Sequence, residues 1–193
     1  MNFIKSKIEG VYIIEPKVFG DQRGYFFESF SYRDFCKGIG KREGEVPPFV
    51  QDNQSMSAYG VVRGLHFQRA PYQQGKLVRV VKGIVLDVVL DLRPVSPTFG
   101  KYEAVELSDE NFRQLYLPRG MAHGFSVLSD EAVLQYKCDN YYAPDYEDGI
   151  AWNDPQLAID WRIPPQEAII SAKDSARQSY LQFTSKISSH SVV

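Results

Sequence analysis

Between Val61 and Leu92 the chain reads Val-Val-Arg-Gly-Leu-His-Phe-Gln and then, from Gly75, Gly-Lys-Leu-Val-Arg-Val-Val-Lys-Gly-Ile-Val-Leu-Asp-Val-Val-Leu-Asp-Leu. Arg63, His66 and Lys76 thus sit among strand-forming residues in a chain with 3 histidines. An imidazole moves protons near neutral pH, and an ammonium group holds negative charge on oxygen. If the two side chains converge, the site suits carbanion chemistry beside a carbonyl group.

The elements that must position these residues are short strands. Gly83 divides the stretch into two strand-length runs, and the second alternates, with Ile84, Leu86, Val88 and Leu90 on one face and Asp87 and Asp91 on the other. That pattern predicts a half-buried strand. Phe49 to Ser57 is polar without net charge repetition, so its amides and hydroxyls face either solvent or a polar ligand. Upstream, Gly10 to Phe19 reads as a strand broken by Pro16, Gly20 to Gly24 as a turn, and Tyr25 to Phe30 as an aromatic strand. Ser31 is placed to cap a short helix through Cys36 that Gly38 and Gly40 end. Further strands are predicted over Lys101 to Leu107, on both sides of the turn Pro118-Arg119-Gly120, and over Ala132 to Tyr142. Short strands between regular turn signals describe an all-β sandwich or barrel, not a βαβ fold.

From Ala143 onward the texture changes to Pro, Asp, Trp and Tyr, a segment expected to wrap the sandwich instead of forming a second core. The length of 193 residues fits one domain, drawn here as residues 1–183, with a polar tail over 184–193 expected to be disordered. That expectation removes His190 from the candidates. The formal net charge of −2 gives neither a nucleic acid nor an anionic membrane a bulk attraction, and no stretch reaches the roughly 20 apolar residues of a membrane span. Two cysteines, Cys36 and Cys138, in no metal or redox motif, and an N-terminus with charges every few residues lead to the expectation of a cytoplasmic protein.

A metal site must be weighed because small β-barrels often hold metals with histidine. The pattern Gly60, His66, Gln68, Lys76, Gly83, followed by Pro118, Gly120 and His123, resembles the cupin superfamily. Metal cupins would carry histidine and glutamate where Gln68 and Lys76 stand, and a lysine ammonium has no lone pair to offer a cation. What remains is a histidine, an amide, a positive charge and a second histidine, a set able to bind and deprotonate an anionic or carbonyl substrate.

Blocks along nearly the whole chain sharpen the resemblance. Arg23-Gly24, Phe27-x-Ser, Gln51-Asp52-Asn53-x-Ser55, Val62-Arg63-Gly64-Leu65-His66, Gly75-Lys76-Leu77-Val78, Pro118-Arg119-Gly120-x-Ala122-His123-Gly124-Phe125, Tyr136-Lys137 and Trp152-Asn153-Asp154-Pro155 occur in one order. Together they resemble the dTDP-4-dehydrorhamnose 3,5-epimerase family. The resemblance implies a cupin-type jelly roll with short peripheral helices, a homodimer with N-terminal strands at its interface, no cofactor and no metal. It implies a dTDP-linked 4-keto-6-deoxyhexose as substrate, inverted at the two carbons flanking its ketone. On this resemblance His66 matches the general base, Asp174 the carboxylate that orients it, Lys76 the group facing the ketone oxygen, and Tyr136 the acid on the opposite face. Arg23, Arg63 and His123 match the sugar and pyrophosphate pocket, Gln51 and Asn53 become ligand contacts, Phe27 and Glu28 lie near the thymine, and Glu147 and Lys173 match further binding positions. Epimerisation at carbon 3 or carbon 5 alone, a metal-dependent cupin enzyme and a non-catalytic sugar-nucleotide binding module remain as alternatives.

Overall fold

The computed structural model describes residues 1–190, and within them the aromatic and β-branched runs form strands cut by glycine and proline turns. Along the chain these are β1 (Asn2–Lys5), β2 (Tyr12–Glu15), β3 (Phe19–Asp21), β4 (Gly24–Phe26), α1 (Tyr32–Gly38), β5 (Gln51–Ala58), β6 (Val62–Gln68), β7 (Lys76–Lys82) and β8 (Ile84–Asp91). There follow β9 (Tyr102–Ser108), β10 (Gln114–Leu117), β11 (Met121–Val127), β12 (Glu131–Cys138), β13 (Glu147–Gly149), α2 (Ala172–Ser175) and α3 (Tyr180–His190). One sheet has the order β1-β2-β10-β7-β12-β5 and the other β13-β6-β11-β8-β9, while β3 and β4 pair only with each other. This is the all-β sandwich with short peripheral helices that the sequence predicts.

Apolar residues of both sheets meet between them, Val78, Val80, Leu115 and Leu134 from one against Val85, Val89, Leu107 and Phe125 from the other. Each fully buried side chain of this kind contributes about 1.5–3 kcal/mol. A second cluster lies on the far face of the five-stranded sheet, where Leu86, Val88 and Leu90 pack on Leu157 and Trp161 of the wrapping segment. Strand β8 is therefore buried on both faces, which corrects the half-buried reading. Asp87 and Asp91 are both 0% exposed, with Asp87 alternating with Val85 and Val89 on the inner face.

Helix α1 has the expected start, with the Ser31 hydroxyl accepting from the Asp34 N–H. Its Phe35 and Cys36 pack with Leu77 and Tyr116 on the outer face of the six-stranded sheet. The broad strand expected from Tyr25 to Phe30 is only β4, and the last strand of the sheet stops at Cys138 instead of running to Tyr142. The tail expected to be disordered from Thr184 begins inside α3, which is helical as far as His190. Residues 191–193 and the side chains of residues 188–190, that of His190 among them, lie outside the described residues.

One local irregularity sets the site. Arg63 pairs with Phe125 and His66 with His123, so three steps along β6 match two along β11. The extra residue is a β-bulge, and it turns Arg63 and His66 to the same inner face although they are an odd number of residues apart. Gly64, in the bulge, has φ +125, and a Cβ there would lie 2.5 Å from the Gly124 Cα and 2.9 Å from the His123 carbonyl oxygen. Both the left-handed backbone and the close approach require glycine. Gly64→Ala is expected to destabilise the fold by about 2–4 kcal/mol in urea titrations. A loss under about 0.5 kcal/mol, within the range of ordinary surface substitutions, would show that the strands part without strain.

Candidate active site

Strand parity and cross-strand pairing bring the polar residues to one end of the space between the sheets. On β5, Gln51, Asn53, Ser55 and Ser57 are the more buried alternate residues, and Asn53 stands opposite Tyr136 on β12. Tyr136 is level with Val78 on β7, a residue of the inner core, so Lys76 and Tyr136 share the inner face. From the facing sheet come Arg63 and His66 on β6, Asp87 on β8, His123 on β11 and Glu147 on β13, whose Gly149 pairs with His66. The polar side of β5 thus faces the interior, and Gln51 and Asn53 belong to this cluster.

His66 is half-buried and its Nε2 lies 2.5 Å from Oδ1 of Asp174, a carboxylate 5% exposed. The carboxylate rides on α2, whose N-cap Ser171 accepts from the Asp174 N–H at 3.0 Å. Burial works against the charge on Asp174, but hydrogen bonds from His66, Ser171 and the Gly64 backbone outweigh it and hold the carboxyl below its ordinary value. With Nε2–H donated to a carboxylate, the lone pair of Nδ1 is free to take a proton, the tautomer a base needs. Arg63, His66, Glu147, Lys173 and Asp174 line a cleft of about 430 Å³.

The opposite sheet supplies groups of contrasting character. Desolvation holds the Lys76 ammonium below the usual lysine range, opposed by Cys138, Asp87 and Glu147. Its Nζ lies 5.6 Å from the centre of the Tyr136 ring. Burial pushes the Tyr136 phenol up, and Cys138 and Glu147 add to the shift against Arg63, so the phenol keeps its proton well above neutral pH. An imidazole, a cation short of solvent and a protonated phenol therefore stand on the inner faces of the two sheets.

Around them stand residues that fix the walls. His123 Nε2 is 2.9 Å from both carboxylate oxygens of Asp87, and both residues are buried. Arg63 Nε donates to the Ser57 hydroxyl at 3.1 Å, and Gln51 Nε2 donates to Asn53 Oδ1 at 3.0 Å. Gln68 is spent on structure, donating to the Tyr72 and Tyr141 carbonyls and accepting from the Ala143 N–H. Glu147 accepts from the Tyr142 hydroxyl, Lys173 and Arg177. Burial opposes its charge, but these three partners hold its carboxyl down to about 2.

Three residues with expected binding roles stand apart in the single chain. Arg23 is 85% exposed on the β3–β4 hairpin and paired with Asp21 at 2.6 Å. Phe27 packs against Tyr25 and Phe112, with Arg79 over its ring, and Glu28 is exposed. None of the three is placed beside His66 by this chain's own fold. Asp87 and Arg177 are the site-side residues that sequence reasoning missed. For Asp87 a signal existed, since the run from Ile84 to Leu90 is apolar at both parities and so leaves no solvent face for a carboxylate. Nothing comparable marks Arg177. Asp154, in the Trp152-Asn153-Asp154-Pro155 block, accepts from the Gln156, Leu157 and Tyr180 N–H groups.

Comparison with known proteins gives the geometry its context. The family model described as dTDP-4-dehydrorhamnose 3,5-epimerase matches residues 5–182. The dTDP-4-dehydrorhamnose 3,5-epimerase of Shigella flexneri is 52% identical over 181 residues, covering 94% of this chain and 97% of the relative. A solved structure of that enzyme from Elizabethkingia anophelis superposes with a TM-score of 0.89 at 47% identity, covering 94% of this chain and 97% of the other. The Legionella pneumophila dTDP-6-deoxy-D-glucose-3,5-epimerase, solved in complex with dTDP-4-keto-L-rhamnose, gives a TM-score of 0.86 at 48% identity over 92% of each chain. Similarity of this extent in both sequence and cupin-like architecture means that the chain belongs to the dTDP-4-dehydrorhamnose 3,5-epimerase family.

Proposed function

We propose that the cluster inverts carbons 3 and 5 of dTDP-4-dehydro-6-deoxy-D-glucose, giving dTDP-4-dehydro-L-rhamnose. The observation that carries this reading is the His66–Asp174 pair on one wall with Tyr136 and Lys76 on the other. Each inversion removes a proton next to the 4-ketone. His66 takes it, the C–H electron pair moves into the ring to form the enolate, and negative charge gathers on the ketone oxygen. Asp174 stabilises the imidazolium that results. Lys76, deprived of solvent, faces the oxyanion, where a single such donor is worth roughly 3–4 kcal/mol of transition-state stabilisation. Tyr136 then delivers its phenolic proton to the opposite face of the carbon, and protonation from the other side is what makes the outcome inversion.

Arg63, His123, Gln51, Asn53, Glu147 and Lys173 hold the sugar and its diphosphate, with the guanidinium of Arg63 suited to fork onto phosphate oxygens. The chain works as a homodimer in which the β3–β4 hairpin brings Arg23, Phe27 and Glu28 to the partner's site. Support comes from the hairpin itself, whose strands pair only with each other and expose Phe19, Tyr25 and Phe26 at 54%, 62% and 69%. Exposed apolar surface of this density marks an interaction site. The unpaired thiols of Cys36 and Cys138 fit a reducing, cytoplasmic setting, and no helix among the described residues is long and apolar enough to cross a membrane.

In heavy water the wild-type protein is expected to place deuterium at both carbon 3 and carbon 5 of the substrate, read by NMR. Label at one carbon alone points to a mono-epimerase, and none at all removes the assignment. His66→Ala should abolish exchange at both positions with dTDP affinity retained, whereas Tyr136→Phe should lower net inversion by about 10²–10⁴-fold while sparing exchange on the face of His66.

Lys76→Met offers a second test, because a half-buried, desolvated cation opposes folding while serving the reaction. The variant is expected to unfold about 1 kcal/mol less readily at neutral pH and to lose about 10²–10³ in kcat. The folded-state value of Lys76 is depressed, so wild-type stability rises as pH climbs through that value toward the ordinary lysine range, and the gap between the proteins should close at alkaline pH. A variant less stable than wild type would contradict the desolvation account.

The hairpin exchange is checked by co-expressing two inactive chains, Arg23→Ala and His66→Ala. If the arm serves the partner, random assortment of a two-fold dimer restores roughly a quarter of wild-type activity. An arm acting on its own chain restores none.

A further inference from the structure

Arg177 is buried in the wall behind the His66–Asp174 pair, with a side chain 9% exposed. Its Nη2 donates to Glu147 Oε1 on β13. Its Nε lies 3.7 Å from Asp174 Oδ1, the same oxygen that faces His66 Nε2 at 2.5 Å, and among the described residues this buried N–H has no hydrogen-bond partner. Leaving such a donor unmet costs free energy, so its placement calls for a compensating role. The surroundings are shaped to keep it there. A Cβ on Gly149 would lie 2.8 Å from Arg177 Nε, and the next residue, Gln178, donates to Asp148 Oδ1 and forms a bridge with Ile150.

We infer that Arg177 is a positioning residue for the His66–Asp174 pair, tying the short helix that carries Asp174 to the edge strand that carries Glu147 and setting a permanent positive charge behind the orienting carboxylate. This rests on the reading of His66 as the base. Two effects follow. Helix α2 has four residues and little packing of its own, so the guanidinium and the Gln178 contacts fix where the carboxylate stands. The fixed cation also shares Oδ1 with the imidazolium formed at each proton abstraction, which keeps that imidazolium from being held too firmly to release its proton for the next turnover. Arg177 touches neither substrate nor the reacting carbons in this scheme and acts through Asp174.

The test compares wild type, Arg177→Met, Asp174→Asn and the double variant for the rate of solvent-deuterium incorporation into dTDP-4-dehydro-6-deoxy-D-glucose, with dTDP affinity measured by calorimetry. Arg177→Met is expected to lower kcat for incorporation about 30-fold with KM and dTDP affinity within about twofold of wild type, and Arg177→Lys to recover most of the rate. In the Asp174→Asn background the same substitution should cost less than about twofold, because the group through which it acts is already gone. An unchanged kcat in Arg177→Met, a fully multiplicative loss in the double variant, or a loss confined to KM and dTDP affinity would each overturn the proposal. Should Arg177→Met fail to fold, Arg177→Gln keeps a donor for Glu147 without the charge and is judged by the same outcomes. Wild-type protein that incorporates no deuterium would instead overturn the assignment of His66, a separate result.

Discussion

A carboxylate inside a β-sandwich survives only where donors meet it, and the placement of Asp174 governs most of what this molecule can do. His66, the Ser171 cap and the Gly64 backbone supply those donors, from β6 and from the segment that wraps the sheets. Each has its own structural condition. The Gly64 N–H is in place because β6 bulges there, the bulge fits because Gly124 opposes it without a side chain, and Ser171 is in place because the chain after Ile169 runs beside Val61. Gly64 and Gly124 thus take part in setting the His66–Asp174 pair. They let backbone approach backbone closely enough for the carboxylate to lie within the wall.

The interior is divided along its length. At one end valines and leucines of both sheets close on each other, while at the other the same strands carry Lys76, Asp87, His123, Tyr136 and the amides of β5. The apolar end supplies the folding free energy, and the polar end consumes some of it in desolvation. Pairing keeps that cost bounded: Asp87 meets His123, Glu147 meets two cations and a phenol, and Arg63 meets Ser57. Lys76 is the exception, held by longer-range attraction to Asp87 and Glu147 without a close carboxylate. An ammonium already short of solvent interacts more strongly than a hydrated one with negative charge placed beside it.

The architecture was legible where residue periodicity and turn chemistry act locally. Gly83 between two alternating runs, the Ser31 cap and the uncharged polar stretch around Asn53 each carry their signal within a few residues. The grouping of His66, Lys76, His123 and Tyr136 came from the resemblance that their motif blocks carry and not from strand pattern, since the bulge in β6 upsets simple alternation. What escaped depends on contacts far apart in the chain. Alternation alone cannot say that the Leu86, Val88 and Leu90 face of β8 lies under a wrapping segment some 70 residues later, which turns the Asp87 face into the sandwich, so the pattern puts Asp87 on a solvent face. Strand lengths near Phe30 and Tyr142 were overestimated because aromatic residues that suit strands serve other ends here: Phe30 packs on Phe35 of α1, and Tyr142, exposed in the loop after β12, donates its hydroxyl to Glu147. The tail from Thr184 reads as polar, yet Tyr180 and Phe183 anchor its helix to the second cluster.

That anchoring bears on how the site is assembled. His66 stands on a strand of the sheet core, but Asp174, Lys173 and Arg177 come from a segment with only four helical residues of its own, held by Trp161, Ile170, Tyr180 and Phe183 against the far face of the same sheet. His66 is therefore held by strand pairing and Asp174 by packing. Strand pairing resists displacement through many hydrogen bonds at once, whereas a packed segment moves as a unit when its apolar anchors loosen. Substitutions at Trp161, Tyr180 or Phe183, which do not line the cleft, would then shift the carboxylate and not the imidazole. The position of the Asp174 carboxylate beside His66 depends in this way on how well the outermost layer is packed.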